Sequence, residues 1–111
     1  MNQVCLVGNI AKDLELRYTP QGKAVIDLSV AVNEGYGDKK SVSFFDCIVW
    51  EKQAENCNQY LTKGSKVGIT GSLRQQKWQD KEGKNRYKII INAHRVEFLS
   101  TKREEDFNSE V

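Results

Sequence analysis

An all-β barrel of five strands and one helix is the fold class this sequence predicts, on three observations. Five segments place apolar residues with the two-residue period of a half-buried strand or as a short continuous apolar run. One segment alone, from Gln53 to Lys63, spaces its apolar residues as a helix does. Glycines inside the apolar segments (Gly8, Gly68 and Gly71) predict strands that bend. With 111 residues, there is chain for one core and none for a second.

The first run, Val4 to Ile10, is short and apolar on both faces, as a buried strand is. Past Asp13 the alternation resumes, with Leu14, Leu16 and Tyr18 on one face, so the expectation is one long bent strand. Thr19-Pro20-Gln21-Gly22 has Pro second and Gly fourth, the preference of a type I turn. From Lys23 to Asn33, Ile26, Leu28, Val30 and Val32 form an apolar face, with Asp27 and Ser29 opposite. The segment from Glu34 to Lys40 is a loop holding Tyr36 between two glycines.

The third strand, Val42 to Trp50, organises the rest. Its odd positions Phe45, Cys47 and Val49 suit a core. Its even positions set Phe44 and Trp50 either side of Asp46, on a face that a charge keeps from full burial. The two rings stand about 20 Å apart along an extended strand. In the helix, Ala54, Cys57 and Leu61 share a stripe and Gly64 supplies the C-cap. The fourth strand, Ser65 to Gln76, turns Val67, Ile69 and Leu73 inward and Lys66, Arg74 and Gln76 outward, with Trp78 following on that outward parity. Asp80 to Asn85 is a hairpin tip. In the last strand, Arg86 to Leu99, Tyr87, Ile89, Ile91 and Ala93 share a parity that fails at Val96 and Phe98, so a bulge is expected near Arg95. The folded domain is thus residues 1–99, and 100–111 is a short acidic tail. Three strands, a helix and two strands make the pattern of the OB-fold, a five-stranded antiparallel Greek-key barrel with one helix between strands 3 and 4.

Charge is unevenly spread. Seventeen Lys and Arg face 15 Asp and Glu, but four of the acids (Glu104, Glu105, Asp106 and Glu110) lie in the last eight residues, which hold no base. Residues 1–103 therefore carry a net +6, and a basic body calls for an anionic partner. Three cysteines without a CxxC pair argue against a disulfide framework or a zinc site. No stretch is apolar for long enough to span a membrane and no leader pattern opens the chain, so a cytoplasmic, nucleoid-associated protein is expected.

Catalysis finds no foothold. The single histidine, His94, has no nucleophile or carboxylate at a telling spacing, and no cluster has metal-ligand spacing, so no cofactor or metal is expected. The aromatic and basic residues are more informative. Tyr36, Phe44, Trp50 and Trp78 all fall in loops or on the outward parity of strands, among Lys52, Lys66, Arg74, Lys77, Arg86 and Lys88. Unpaired nucleic acid needs both parts: rings that stack on bases and cations that neutralise the phosphates between them. The competing role for Trp50 and Phe44 is core packing, and for each lysine ordinary solvated charge. Arg17 serves either the path, or the barrel or interface. RNA remains open beside DNA, since stacking does not exclude a 2′-hydroxyl.

Several stretches add a resemblance: Val7-Gly8-Asn9, Leu16-Arg17-Tyr18 with Pro20 and Gly22, Tyr60-Leu61 with Lys63-Gly64, and Gly71-Ser72-Leu73-Arg74 leading to Lys77-Trp78. In order and spacing the chain resembles the bacterial-type single-stranded-DNA-binding proteins (SSB) over about residues 2–99. The resemblance implies an OB-fold protomer, assembled as a homotetramer through first-strand pairing, that wraps single-stranded DNA in replication, recombination and repair. It places the stacking positions on Tyr36, Phe44, Trp50 and Trp78, with Trp78 matching in kind and the other three exchanging one ring for another. Phe45 stands where many relatives carry histidine, and the loop before it is shorter. Acids flanking Phe107 imply a reduced tail for docking replication and repair proteins, and a protein–protein adaptor with secondary nucleic-acid binding is the rival reading.

Overall fold

The structure is a computed structural model and describes residues 1–100; the acidic stretch around Phe107 lies outside the described residues. Six strands and one α-helix follow one another, with a single 3-10 turn at Gly37–Lys39 before the fourth strand: β1 (Val4–Ile10), β2 (Leu16–Tyr18), β3 (Ala24–Glu34), β4 (Ser41–Trp50), α1 (Glu51–Tyr60), β5 (Lys66–Gln79) and β6 (Asn85–Phe98). The strands hydrogen-bond in the order β1-β5-β6-β4-β3, and β1 pairs again with β3 at Asn9 and Ile10, which closes a five-stranded barrel. This is the OB-fold expected from the sequence. One contact departs from the antiparallel rule: β4 and β6 run parallel where Cys47 meets Ile91 and Ile48 meets Asn92.

The long first strand divides in two. Ile10 lies opposite Val30 and Leu16 opposite Ile26, so six steps along one chain are matched by four along the other. The excess leaves the ladder around Lys12 and Asp13, and β2 resumes pairing with β3 beyond it. The helix runs from Glu51 to Tyr60 and not from Gln53 to Lys63. Leu61 leaves helical geometry to enter the core, and Gly64, at φ +96°, serves the following turn and is not the C-cap. The break of parity in β6 is a bulge: Thr70 pairs with Arg95 and Gly71 with Ala93, leaving His94 unopposed. The Gln53 side chain clamps it from α1, donating to the His94 carbonyl at 2.8 Å and accepting from the Val96 amide at 3.0 Å.

Ile26, Leu28, Val30, Cys47, Val49, Val67, Ile69 and Ile91 fill the barrel, and Ala54, Cys57 and Leu61 close one end. Several inward-parity residues escape it. Leu73, Tyr87, Ile89 and Phe45 are exposed because their strands run past the end of the core, where parity still points the side chain but nothing lies underneath. On the outward side the reverse occurs. Ile48 is buried with Val25 and Ile90 in a second, smaller cluster, against which Trp50 packs.

Candidate nucleic-acid interface

Residues directly opposed across antiparallel strands share a face. The register therefore gathers one continuous outward surface from five strands. It carries Trp78, Gln76 and Arg74 on β5, opposed to Arg86, Lys88 and Ile90 on β6. Phe44, Asp46, Ile48 and Trp50 on β4 are opposed to Ala31, Ser29, Asp27 and Val25 on β3, and Arg17 on β2 lies opposite Val25. Because β4 and β6 run parallel and each begins at a hairpin tip, the tip bearing Tyr36 and the tip beside Trp78 project from the same end of the barrel.

The rings differ in how much of themselves they offer. Tyr36 is 87% exposed in the loop before β4, Phe44 63% and Trp78 47%. Trp50 is half-buried, supported by the cluster of Val25, Ile48 and Ile90. Trp78 sits beside Lys77, Gln79, Asn85 and Tyr87, which line a shallow hollow with it.

The cations fall into three groups. Lys52, Arg74 and Lys77 are exposed and have no ion-pair partner among the described residues. Arg86 and Lys88 are paired, to Asp80 at 2.9 Å and to Asp46 at 2.8 Å. Lys66 shares the outward parity but begins β5 at the end remote from Trp78, so the fold does not bring it to the rings. Arg17, which the sequence left between two roles, joins the outward face in a 3.0 Å pair with Asp27.

Asp80 builds the β5–β6 tip. Its carboxylate accepts from the amides of Glu82 and Lys84 and from Arg86 Nε. The Lys84 amide, then the Arg86 guanidinium and the Glu82 amide, hold its carboxyl below the usual carboxylate range. A lowered carboxylate stabilises the fold above its unfolded pKa and loses that contribution as pH falls through the lowered value, so the tip is intact at neutral pH. Burial pushes the Cys47 thiol up to about 12, with the Asp46 charge adding to it, and burial does the same for Cys57. Both remain protonated and unreactive. Among the described residues no group of three His, Cys, Asp or Glu side chains is placed to hold a metal ion, and no helix is long and apolar enough to cross a membrane.

Residues 1–99 match the model of the single-strand binding protein family. The chain belongs to that family. Its relatives include the single-stranded DNA-binding protein of Bacillus cereus, 41% identical over 102 residues that make up 89% of this chain and 60% of the relative. Single-stranded DNA-binding protein 3 of Listeria innocua is 42% identical, with 93% of this chain and 66% of the relative covered. The single-stranded DNA-binding protein of Deinococcus radiodurans is 43% identical, covering 90% of this chain and 35% of the relative. The chain thus spans about three fifths of the first of these relatives.

Proposed function

We propose that this protein binds single-stranded DNA with little sequence preference, shielding strands exposed in replication, recombination and repair, in the cytoplasm at the nucleoid. The observation that carries this is the single outward face on which Phe44, Trp50 and Trp78 stand among Arg74, Arg86, Lys88 and Arg17, the last three held in ion pairs. Bases stack on Trp78, Phe44 and Tyr36, with Trp50 contributing the side its supporting cluster leaves open. Phosphates run past Arg74, with the paired Arg86 and Lys88 within the path and Lys52, Lys77 and Lys66 at its margins. Stacking accepts every base because every base has a π-face, so affinity comes without a code. The protein acts by binding and not by catalysis, in keeping with its family. Titration with oligo-dT at low salt tests the reading: Trp fluorescence is quenched, and log K falls linearly as log salt rises. A titration without quenching, or a flat salt plot, would refute it.

Self-association completes the proposal. From Val4 to Gly8, β1 pairs with β5 on one side and, among the described residues, with no strand on the other. An open edge of this kind is a template for a second copy, and Val7 is exposed along it. The apolar residues Leu73, Tyr87 and Ile89, exposed on the reverse of the β5–β6 hairpin, supply the second contact that a homotetramer requires. Light scattering is expected to give four times the 12.7 kDa protomer mass, and Val7→Lys to shift it toward smaller species. A wild-type protomer mass would rule the assembly out.

A further inference from the structure

Two ion pairs lie across the proposed strand path, between its rings. Lys88 Nζ meets Asp46 Oδ2 at 2.8 Å and Arg17 meets Asp27 Oδ2 at 3.0 Å. Asp46 is two residues from Phe44 on the same face of β4, and Asp27 lies opposite Ile48, the next outward position after Asp46. All four charged side chains line one cavity of about 160 Å³, together with Lys12 and Gln76, and the buried Ile48 and Ile90 form its floor. Among the described residues, each carboxylate has the cation as its one side-chain partner. That separates them from Asp80, which also holds two backbone amides and so has a structural duty of its own.

We infer that Asp27 and Asp46 are affinity-limiting residues that withhold Arg17 and Lys88 from the phosphates of a bound strand. The inference rests on the reading of this face as a single-stranded DNA path. A neutral pair contributes no net charge toward the strand, whereas either cation alone would. Two positive charges placed midway between the rings are therefore cancelled where a phosphate would pass closest to them. The consequence is a protein that binds by its rings and outer cations and releases its strand more readily than the cation content of the face would allow.

The test is equilibrium titration with oligo-dT across a range of salt, on wild type, Asp46→Asn, Asp27→Asn and the double variant, each followed by thermal melting. Each single substitution is expected to tighten binding at low salt by about two- to fivefold, the range set by the worth of an exposed ion pair. The plot of log K against log salt steepens by about 0.7 for each cation freed onto a phosphate. Adding Lys88→Gln to Asp46→Asn abolishes the gain. Glu55→Gln, which removes an exposed acid on α1, leaves the slope as in wild type. A purely structural role for the pairs would move the melting temperature and leave the slope unchanged, and that result overturns the inference. So does an equal gain from Glu55→Gln, which would trace the effect to net charge alone. Should Asp46→Asn fail to fold, Asp46→Ser and Asp27→Asn carry the same readout. Failure of wild type itself to bind sinks the underlying reading, whereas wild-type binding with an unaltered variant slope sinks only this inference.

Discussion

Trp78→Ala is expected to weaken binding of oligo-dT by about 1–3 kcal/mol, which is roughly 5- to 150-fold in Kd. The size follows from the place of the ring. Trp78 is on the outward side of β5, directly opposite Arg86, with Arg74 further along the same face, so a base on the indole has cations near its phosphates. The ring belongs to neither hydrophobic cluster, which leaves its face for a ligand and not for the core. Trp78→Phe keeps a π-face of smaller area and should recover part of the loss. Thermal melting should barely change for either variant, because the hairpin beyond Leu73 contributes little to the barrel interior. Fluorescence anisotropy of a labelled oligo-dT reads all three proteins, since it does not depend on the tryptophan removed. Wild-type affinity in Trp78→Ala would remove base stacking at this position from the mechanism.

How far the sequence carried this picture differs from residue to residue, for physical reasons. Ile26, Leu28 and Val30 read as a core face and are one, because period-two alternation directly reports which side of a strand is dry. The failing parity at Val96 located the β6 bulge to within a residue, since an extra residue must exchange the faces of everything after it. Parity cannot say where a core stops. Leu73, Tyr87 and Ile89 alternate as faithfully as Ile91 does, yet they lie past the barrel's end and are exposed. Nor can it find a second layer: Val25, Ile48 and Ile90 come from three strands, and only the topology makes them neighbours. The same limit applies to charge. Asp46 was legible as a carboxylate between two rings, but its partner Lys88 was not, because the pair depends on the parallel approach of β4 and β6. Exposed rings on an outward parity needed only local sequence, and those are the candidate site residues that local reasoning could reach.

Gly8→Ala should be one of the two most damaging single-atom additions in the barrel, beside Gly71→Ala, whose Cβ would fall on the Asn92 carbonyl oxygen. Gly8 is buried where β1 leaves β5 to close on β3, and a Cβ there would fall on the Ala31 carbonyl oxygen, with Val30 Cγ1 2.8 Å away. The obstacle is backbone of the strand that β1 must join, so no rotamer change relieves it. Either β3 moves or the Asn9–Ala31 and Ile10–Val30 pairing that closes the ring is lost. Overpacking of this kind costs about 3 kcal/mol, enough to lower the melting temperature by more than about 10 °C in a domain of this size. Gly68→Ala is the matched control. It is opposite Val7 in the same ladder, but its Cβ would meet only side-chain atoms of Glu97 and Leu99, the nearest at 3.7 Å. Ordinary van der Waals distance makes that addition harmless, and the loss of glycine's freedom in the unfolded chain favours it by about 0.5 kcal/mol. Thermal melts of the two variants, run at one protein concentration so that assembly is held constant, should therefore move in opposite directions. Equal melting of Gly8→Ala and wild type would mean that β1 does not close against β3 as the geometry requires.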